Sequence, residues 1–177
     1  TATVTISTEG TTVLTYFAED NAGNKESPQT LKVQIDKSPP VIAGLPAPGC
    51  TLWPPNHKLV TIATVMASDG ISGLASGGLT ITGTSNEPEN GHGDGDAAPD
   101  IVIMGNIVKL RAERSGKGNG RIYTLKVTGT DLAGNSTTST AICTVRGDRH
   151  EDEDFSGEEN RPGHAGCGDE DDGHGDK

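Results

Sequence analysis

The sequence predicts an all-β protein arranged as an antiparallel β-sandwich, and three observations carry this prediction. Only 31% of the 177 residues are hydrophobic, so any core must be small. Apolar side chains nowhere repeat at helical spacing over a dozen residues. Short apolar runs with two-residue alternation recur instead, bounded by Gly, Asn, Asp and Pro, as is typical of strands joined by turns.

The first predicted element is a hairpin that recurs near the end of the chain. Segment 16–24, YFAEDNAGN, aligns with segment 127–135, VTGTDLAGN, and the two share the pattern D-x-A-G-N. Predicted strands flank each copy, at 11–18 and 29–35 and again at 121–130 and 139–145. Glycine supplies the positive φ of a tight turn, and Asp and Asn bind its backbone groups. An alternative gives Asp20 or Asp131 a second role as a cation ligand.

A proline-rich stretch separates the two copies. Pro39 and Pro40 lack backbone donors and favour an extended chain. We therefore divide the chain into the back half of a β domain at 1–37, a linker at 38–50, a sandwich at 51–147 and an acidic tail at 148–177.

The predicted sandwich contains several strands at the spacing expected of that architecture. Val108, Leu110 and Ala112 alternate with Lys109 and Arg111, which indicates a strand with one apolar face. The predicted strands are 58–67, 79–85, 101–104, 107–112, 121–130 and 139–145.

The three cysteines fit one disulfide and one further thiol. Cys50 precedes the first strand of the sandwich and Cys143 lies in its last, and these strands are neighbours in some sandwiches, so we favour a Cys50–Cys143 bridge. Three unpaired thiols remain the alternative, because spacing alone does not fix pairing.

The motifs together resemble bacterial extracellular Ig-like or HYR-like repeat modules. The hairpin with the following I-D-x-x-P-P resembles the end of one Ig-like repeat, which makes segment 1–37 the C-terminal part of a partial second module. The rest of the resemblance rests on LWPPNHK, SNEPENGHGDGDAAPD, LRAERSGKGNGRIYTL and TDLAGNST, from Leu52 onwards. It implies an Ig-like sandwich from a modular, secreted or cell-surface bacterial protein, often associated with calcium and without catalytic activity of its own.

The stretch LWPPNHKLV contains the single tryptophan of the chain. We expect Trp53 to lie over the end of the sandwich, and Asn56 and His57 to tie the start of the next strand to backbone groups. The functional alternative makes Trp53 and His57 glycan contacts, because carbohydrate-binding modules use exposed aromatic rings.

The segment 85–100 concentrates oxygen donors on a glycine-rich loop. Calcium prefers six to eight hard oxygen ligands, so this loop predicts a calcium site. A solvated acidic loop is one alternative, and neutralisation by Arg111, Arg114, Arg121 or Lys109 is another. The candidate ligands are Glu87, Glu89, Asn90, Asp94, Asp96 and Asp100.

Charge is concentrated at the C-terminal end. The net charge is −11, and residues 148–177 hold 12 acidic and 3 basic residues, so the remainder is almost neutral. The tail has the composition of a disordered segment, although His150, His164, Cys167 and His174 offer a weaker prediction of a transition-metal site. The absence of a basic face argues against nucleic acid, and no apolar run is long enough to insert in a membrane.

The sequence favours a binding or structural protein over an enzyme. It has no G-x-S-x-G, H-E-x-x-H or phosphate-loop motif. We expect a calcium-stabilised extracellular module that acts as a spacer, adhesion or assembly part and contacts neighbouring domains or other copies. The alternatives are a polysaccharide-binding module of a secreted enzyme and a fibre subunit formed when another copy completes the N-terminal half-module.

Overall fold

A computed structural model describes residues 3–90, 98–116 and 119–146, and the regular structure in these ranges is all β. The all-β prediction is confirmed. Within the same ranges, no helix has the length and apolarity needed to cross a membrane. The strands are β1 (Gly10–Tyr16), β2 (Gln29–Ile35), β3 (Val41–Ala43), β4 (Cys50–Leu52), β5 (Leu59–Thr64), β6 (Met66–Ser68), β7 (Leu74–Ser85), β8 (Ile101–Met104), β9 (Ile107–Arg111), β10 (Gly120–Asp131) and β11 (Ser136–Arg146).

The N-terminal unit is an antiparallel hairpin of β1 and β2 around the first D-x-A-G-N turn. Asp20 accepts hydrogen bonds from the amides of Ala22 and Asn24, each at 2.9 Å, which closes the turn. Leu31, paired with Leu14, is 50% exposed, and Val13 on the other face is 61% exposed. A sheet of two strands buries little apolar surface on its own, so the hairpin contributes little core.

The second unit consists of two larger sheets that share one core. The sheets have the orders β4-β11-β10-β7 and β5-β9-β8, and a small sheet pairs β3 with β6. Strand β10 alternates cleanly, because Tyr123, Leu125 and Val127 are fully buried while Ile122 and Lys126 are exposed. The buried apolar cluster draws on both sheets and comprises Leu52, Ala63, Val65, Val108, Leu110, Ala112, Tyr123, Leu125, Val127, Cys143 and Val145.

Three differences from the sequence-based prediction are larger than a shift of a strand end by up to three residues. The run predicted at 58–67 divides into β5 and β6, which pair with different partners, β9 and β3. Strand β7 begins at Leu74 instead of residue 79 and passes through a register irregularity opposite Gly129 and Asp131. Residues 38–50, predicted as a linker, contain β3 and the first residue of β4 and bury Pro40, so much of this segment belongs to the second unit.

A disulfide joins Cys50 and Cys143 across neighbouring strands. Strand β4 pairs in parallel with β11, which places the two cysteines opposite each other with their Cα atoms 4.6 Å apart. The bridge closes a sequence separation of 93 residues and attaches β4 to the main sheet. Cys167, His150, His164, His174 and the rest of the tail lie outside the described residues.

Candidate functional site

Two of the carboxylates predicted to bind calcium, Glu87 after β7 and Asp100 before β8, face an arginine. Arg121, near the start of β10, is fully buried and pairs with Asp100 through Nη1 and with Glu87 through Nε at 3.3 Å. Its Nη2 also donates to the Pro88 carbonyl at 3.1 Å. A guanidinium with several donors in a fixed plane suits this arrangement, so arginine pairing explains the burial of Glu87 and Asp100 without a metal.

Asp100 lies at the end of the loop that precedes β8, and its side chain is buried beside β9. Its side chain lies 3.5 Å from Arg111 Nε, and the Arg111 amide donates to the Asp100 carbonyl at 2.8 Å. Burial raises the pKa of the Asp100 carboxyl, while the hydrogen bond and charge of Arg121 act in the opposite direction. Because the pKa is raised overall, the ion pair offsets only part of the desolvation cost.

The other predicted calcium ligands are not drawn into this pairing. Glu89 and Asn90 are exposed, and Glu89 Oε1 accepts a hydrogen bond from the Asp100 amide at 3.3 Å. Asp94 and Asp96 lie outside the described residues. Among the residues that are described, the carboxylates of this set do not form a group close enough to share one ion. The loop as described therefore gives the calcium prediction no converging ligand set.

The LWPPNHK segment contains an exposed aromatic ring, that of Trp53, and a histidine, His57, that contacts a buried carboxylate. Trp53 is 63% exposed, so most of its surface is accessible to solvent. His57 has a φ of 62° and its Nδ1 lies 3.0 Å from Oε2 of the fully buried Glu113. Its amide donates to the Ala112 carbonyl at 2.9 Å, which anchors the segment before β5, as the sequence predicted for His57.

A second group of carboxylates lies where the hairpin meets the second unit. Asp36 follows β2, Asp69 follows β6, and Asp131 ends β10 at the second D-x-A-G-N turn. One oxygen from each lies within 4.8 Å of the others. We call these three residues the junction carboxylates.

Backbone amides hold each junction carboxylate in place. Asp69 Oδ1 accepts from the amides of Gly73 at 2.9 Å and Ser72 at 2.8 Å, and these bonds, that of Gly73 most of all, lower the pKa of Asp69 against the opposing effect of desolvation. Asp36 Oδ2 accepts from the same Ser72 amide at 3.0 Å. Asp131 accepts from the amide and side chain of Asn135, each at 2.8 Å.

No arginine or lysine neutralises the junction carboxylates within the described part of the chain. The ion pairs found there involve other acidic residues, such as Glu87 and Asp100. Three carboxylates at this spacing repel one another, and carboxylate oxygens are the ligands that calcium prefers. The arrangement is therefore chemically suited to a divalent cation.

The sequence offers one of the three junction carboxylates as a cation ligand, and only as an alternative. The turn motif gives Asp131, like Asp20, this second possible role, whereas Asp36 and Asp69 carry no recognisable local signal. The three residues are far apart in the sequence, and the strand pairing brings them together. Asp20, the counterpart of Asp131 in the hairpin, is not part of the cluster.

Comparison of the chain with protein-family models, curated proteins and solved structures found no match.

Proposed function

We propose that this chain is a non-catalytic, Ig-like spacer segment of a larger secreted or cell-surface protein, in which calcium stiffens the junction between successive β units. The observation that carries the proposal is the junction carboxylates. They combine a residue that follows the hairpin, Asp36, with two from the second unit, so one ion bound there would join the two units.

Direct hydrogen bonds between the hairpin and the second unit, next to the junction carboxylates, support an ordered junction. Asn135 Nδ2 donates to the Asp36 carbonyl at 3.3 Å, and Gln34 Nε2 donates to the Ile71 carbonyl. These bonds join the end of β2 to the two loops that hold Asp69 and Asp131. A spacer that transmits force or fixes the distance between domains needs such an ordered connection, because an unconstrained linker behaves as a flexible coil.

The proposal predicts that calcium raises the melting temperature of the chain. A ligand that binds only the folded state stabilises it by about 2.7 kcal/mol at 100 times its dissociation constant. Differential scanning calorimetry in chelator and in millimolar calcium measures the shift. Asp69→Asn should reduce it strongly, because the amide keeps one oxygen for the Ser72 and Gly73 amides but loses the charge.

Asp20→Asn is the matched control, since Asp20 occupies the same motif without belonging to the junction carboxylates. It should leave the calcium response intact. Equal melting temperatures with and without calcium would remove the metal from the proposal. An equal response of both variants would place the calcium elsewhere, with Asp94 and Asp96 as the next candidates.

Exposure of Trp53 favours a second candidate, a carbohydrate-binding module. An indole that is 63% exposed, with His57 four residues on in the same segment, offers a stacking surface with a polar neighbour. Retardation by soluble polysaccharides in affinity electrophoresis, abolished by Trp53→Ala and unchanged by Tyr16→Ala, would support it. The absence of retardation by every polysaccharide would count against it.

A further inference from the structure

Strand β7 forms a free edge of its sheet within the described part of the chain. Its hydrogen-bonded neighbour is β10, and no residue along its 12 positions is fully buried. The outer edge of such a strand carries backbone donors and acceptors that can pair with another chain. The last three residues of segment 79–85, LTITGTS, line a cleft together with Ile101 of β8.

This edge lacks the features that usually prevent pairing. Proteins protect free edges with lysine, other charged side chains or proline. Strand β7 contains no charged residue and no proline over its whole length. Thr80, Thr82 and Thr84 point to the exposed face, while Leu79 and Ile81 alternate with them and are half-buried. The backbone edge of β7 is thus accessible and chemically neutral.

A cleft opens beside the C-terminal end of this edge. It has a volume of about 270 Å³ and is lined by Gly83, Thr84, Ser85, Glu87, Glu89, Asp100 and Ile101. Gly83 allows Ile101 to pack closely, because a β-carbon there would lie 3.0 Å from the Ile101 side chain. Glycine inside a strand often marks a place where another backbone or a ligand approaches.

One carboxylate at the rim of the cleft has no ion-pair partner among the described residues. Glu87 and Asp100 are paired with Arg121, whereas Glu89 is exposed and makes no ion pair with a described residue. Asp100 Oδ1 is also buried without a hydrogen bond among the described residues, although Arg111 lies 3.5 Å away. A cationic side chain that enters beside Glu89 would meet favourable charge and an acceptor-rich wall.

We propose that segment 79–85 is a docking edge for an extended strand of a partner protein, and that a lysine or arginine of this strand enters the cleft beside Glu89. In strand addition of this kind, main-chain hydrogen bonds provide affinity and pockets for alternate side chains provide specificity. We take the added strand to pair antiparallel, as β10 does on the other side of β7. Its N-terminal end then lies next to Ser85, so its basic residue is at that end. A single added strand forms a small interface, and the binding is weak and transient.

Two synthetic peptides test this assignment on the full chain. The first is KTVTVTVT and the second, ETVTVTVT, differs only in the charge at its N-terminal end. When each peptide is titrated into the chain and the backbone amide resonances are followed by NMR, the largest chemical-shift changes should occur in segment 79–85 and at Glu89. The lysine peptide should bind about tenfold more tightly than the glutamate peptide at low salt, and the difference should shrink as salt is added.

Three variants separate the two parts of the proposal. Glu89→Gln should remove most of the preference for the lysine peptide over the glutamate peptide. Because Glu89 is exposed, this change should not unfold the chain. Thr80→Lys puts a protective charge on the edge and should abolish binding of both peptides. Thr128→Lys is its matched control, because Thr128 lies opposite Thr80 on the central strand β10, and it should leave binding unchanged. The melting temperature of each variant verifies that it is folded.

Each contrary result overturns the proposal. No binding of either peptide removes the docking edge, and equal binding of the two peptides to the unmodified chain removes the role of the cleft. Concentration-dependent dimers in sedimentation velocity, with the same amides shifted, would assign the edge to a second copy of this chain instead of a basic partner.

Discussion

Removing the guanidinium of Arg121 is expected to destabilise the second unit more than any surface change. Arg121 is fully buried and contacts Asp100, Glu87 and the Pro88 carbonyl, and Nη1 lies 3.4 Å from the Tyr123 hydroxyl. Arg121→Leu leaves Asp100, which is 3% exposed, with Arg111 at 3.5 Å as its remaining ion pair within the described residues.

The expected magnitude follows from the asymmetry of buried ion pairs. Removal of one partner costs about 3–5 kcal/mol, because the other charge stays buried without full compensation. For a unit of roughly 100 residues, 1 kcal/mol corresponds to about 4–8 °C in melting temperature, so a fall of more than about 12 °C is expected. Since a domain is stable by about 5–15 kcal/mol in total, this loss is at least about a fifth of the stability of the unit.

Urea unfolding monitored by Trp53 fluorescence and by circular dichroism measures this loss. The double variant Arg121→Leu with Asp100→Leu should be more stable than the sum of the single losses predicts, because it removes both charges. Lys126→Leu, an exposed change on the same strand, should stay within about 0.5 kcal/mol of the unmodified chain. A loss below about 1 kcal/mol for Arg121→Leu would refute the assignment of a structural ion pair.

Two further predictions concern the core around this pair. Burial raises the pKa of Tyr123 to about 12, from an ordinary 10.0, so the unfolded chain loses this proton first and stability should fall as pH rises through that interval. Tyr123→Phe should remove this part of the alkaline unfolding curve, and Tyr16→Phe on the hairpin should not; identical curves for all three proteins would contradict the prediction. Reduction of the Cys50–Cys143 bridge should cost about 2–4 kcal/mol, measured by urea unfolding with and without reductant. The double variant Cys50→Ala with Cys143→Ala should not respond to reductant, and an equal response of both proteins would show that the bridge does not contribute.

The sequence predicted strands well where alternation was long and turn chemistry was distinct. The D-x-A-G-N turn predicts both hairpins, and the alternation of Tyr123, Leu125 and Val127 predicts the buried face of β10. Three-residue strands such as β3 and β6 contain too few residues to show a period. They form because neighbouring strands provide hydrogen-bond partners, which is information that local sequence does not hold.

The candidate sites depended on contacts between distant residues and were harder to predict. A dense run of acidic residues around Glu87 and Asp100 indicated calcium, but the fold brings Arg121 from β10 to the same place. Asp36 and Asp69 stand in unremarkable sequence; the fold of the second unit brings Asp69 beside Asp131, and hydrogen bonds from Ser72 and Asn135 hold Asp36, which follows the hairpin, next to both. The density of acidic residues predicted an electrostatic site, but the strand order determines which charged side chains come into contact.

Isothermal titration of the full chain with calcium chloride tests the central claim, that an ion at the junction carboxylates joins the two β units. We expect one binding event that is present in the unmodified chain, in Asp20→Asn and in the double variant Asp94→Asn with Asp96→Asn, and missing in Asp69→Asn. Superimposable isotherms for Asp69→Asn and the unmodified chain would contradict it.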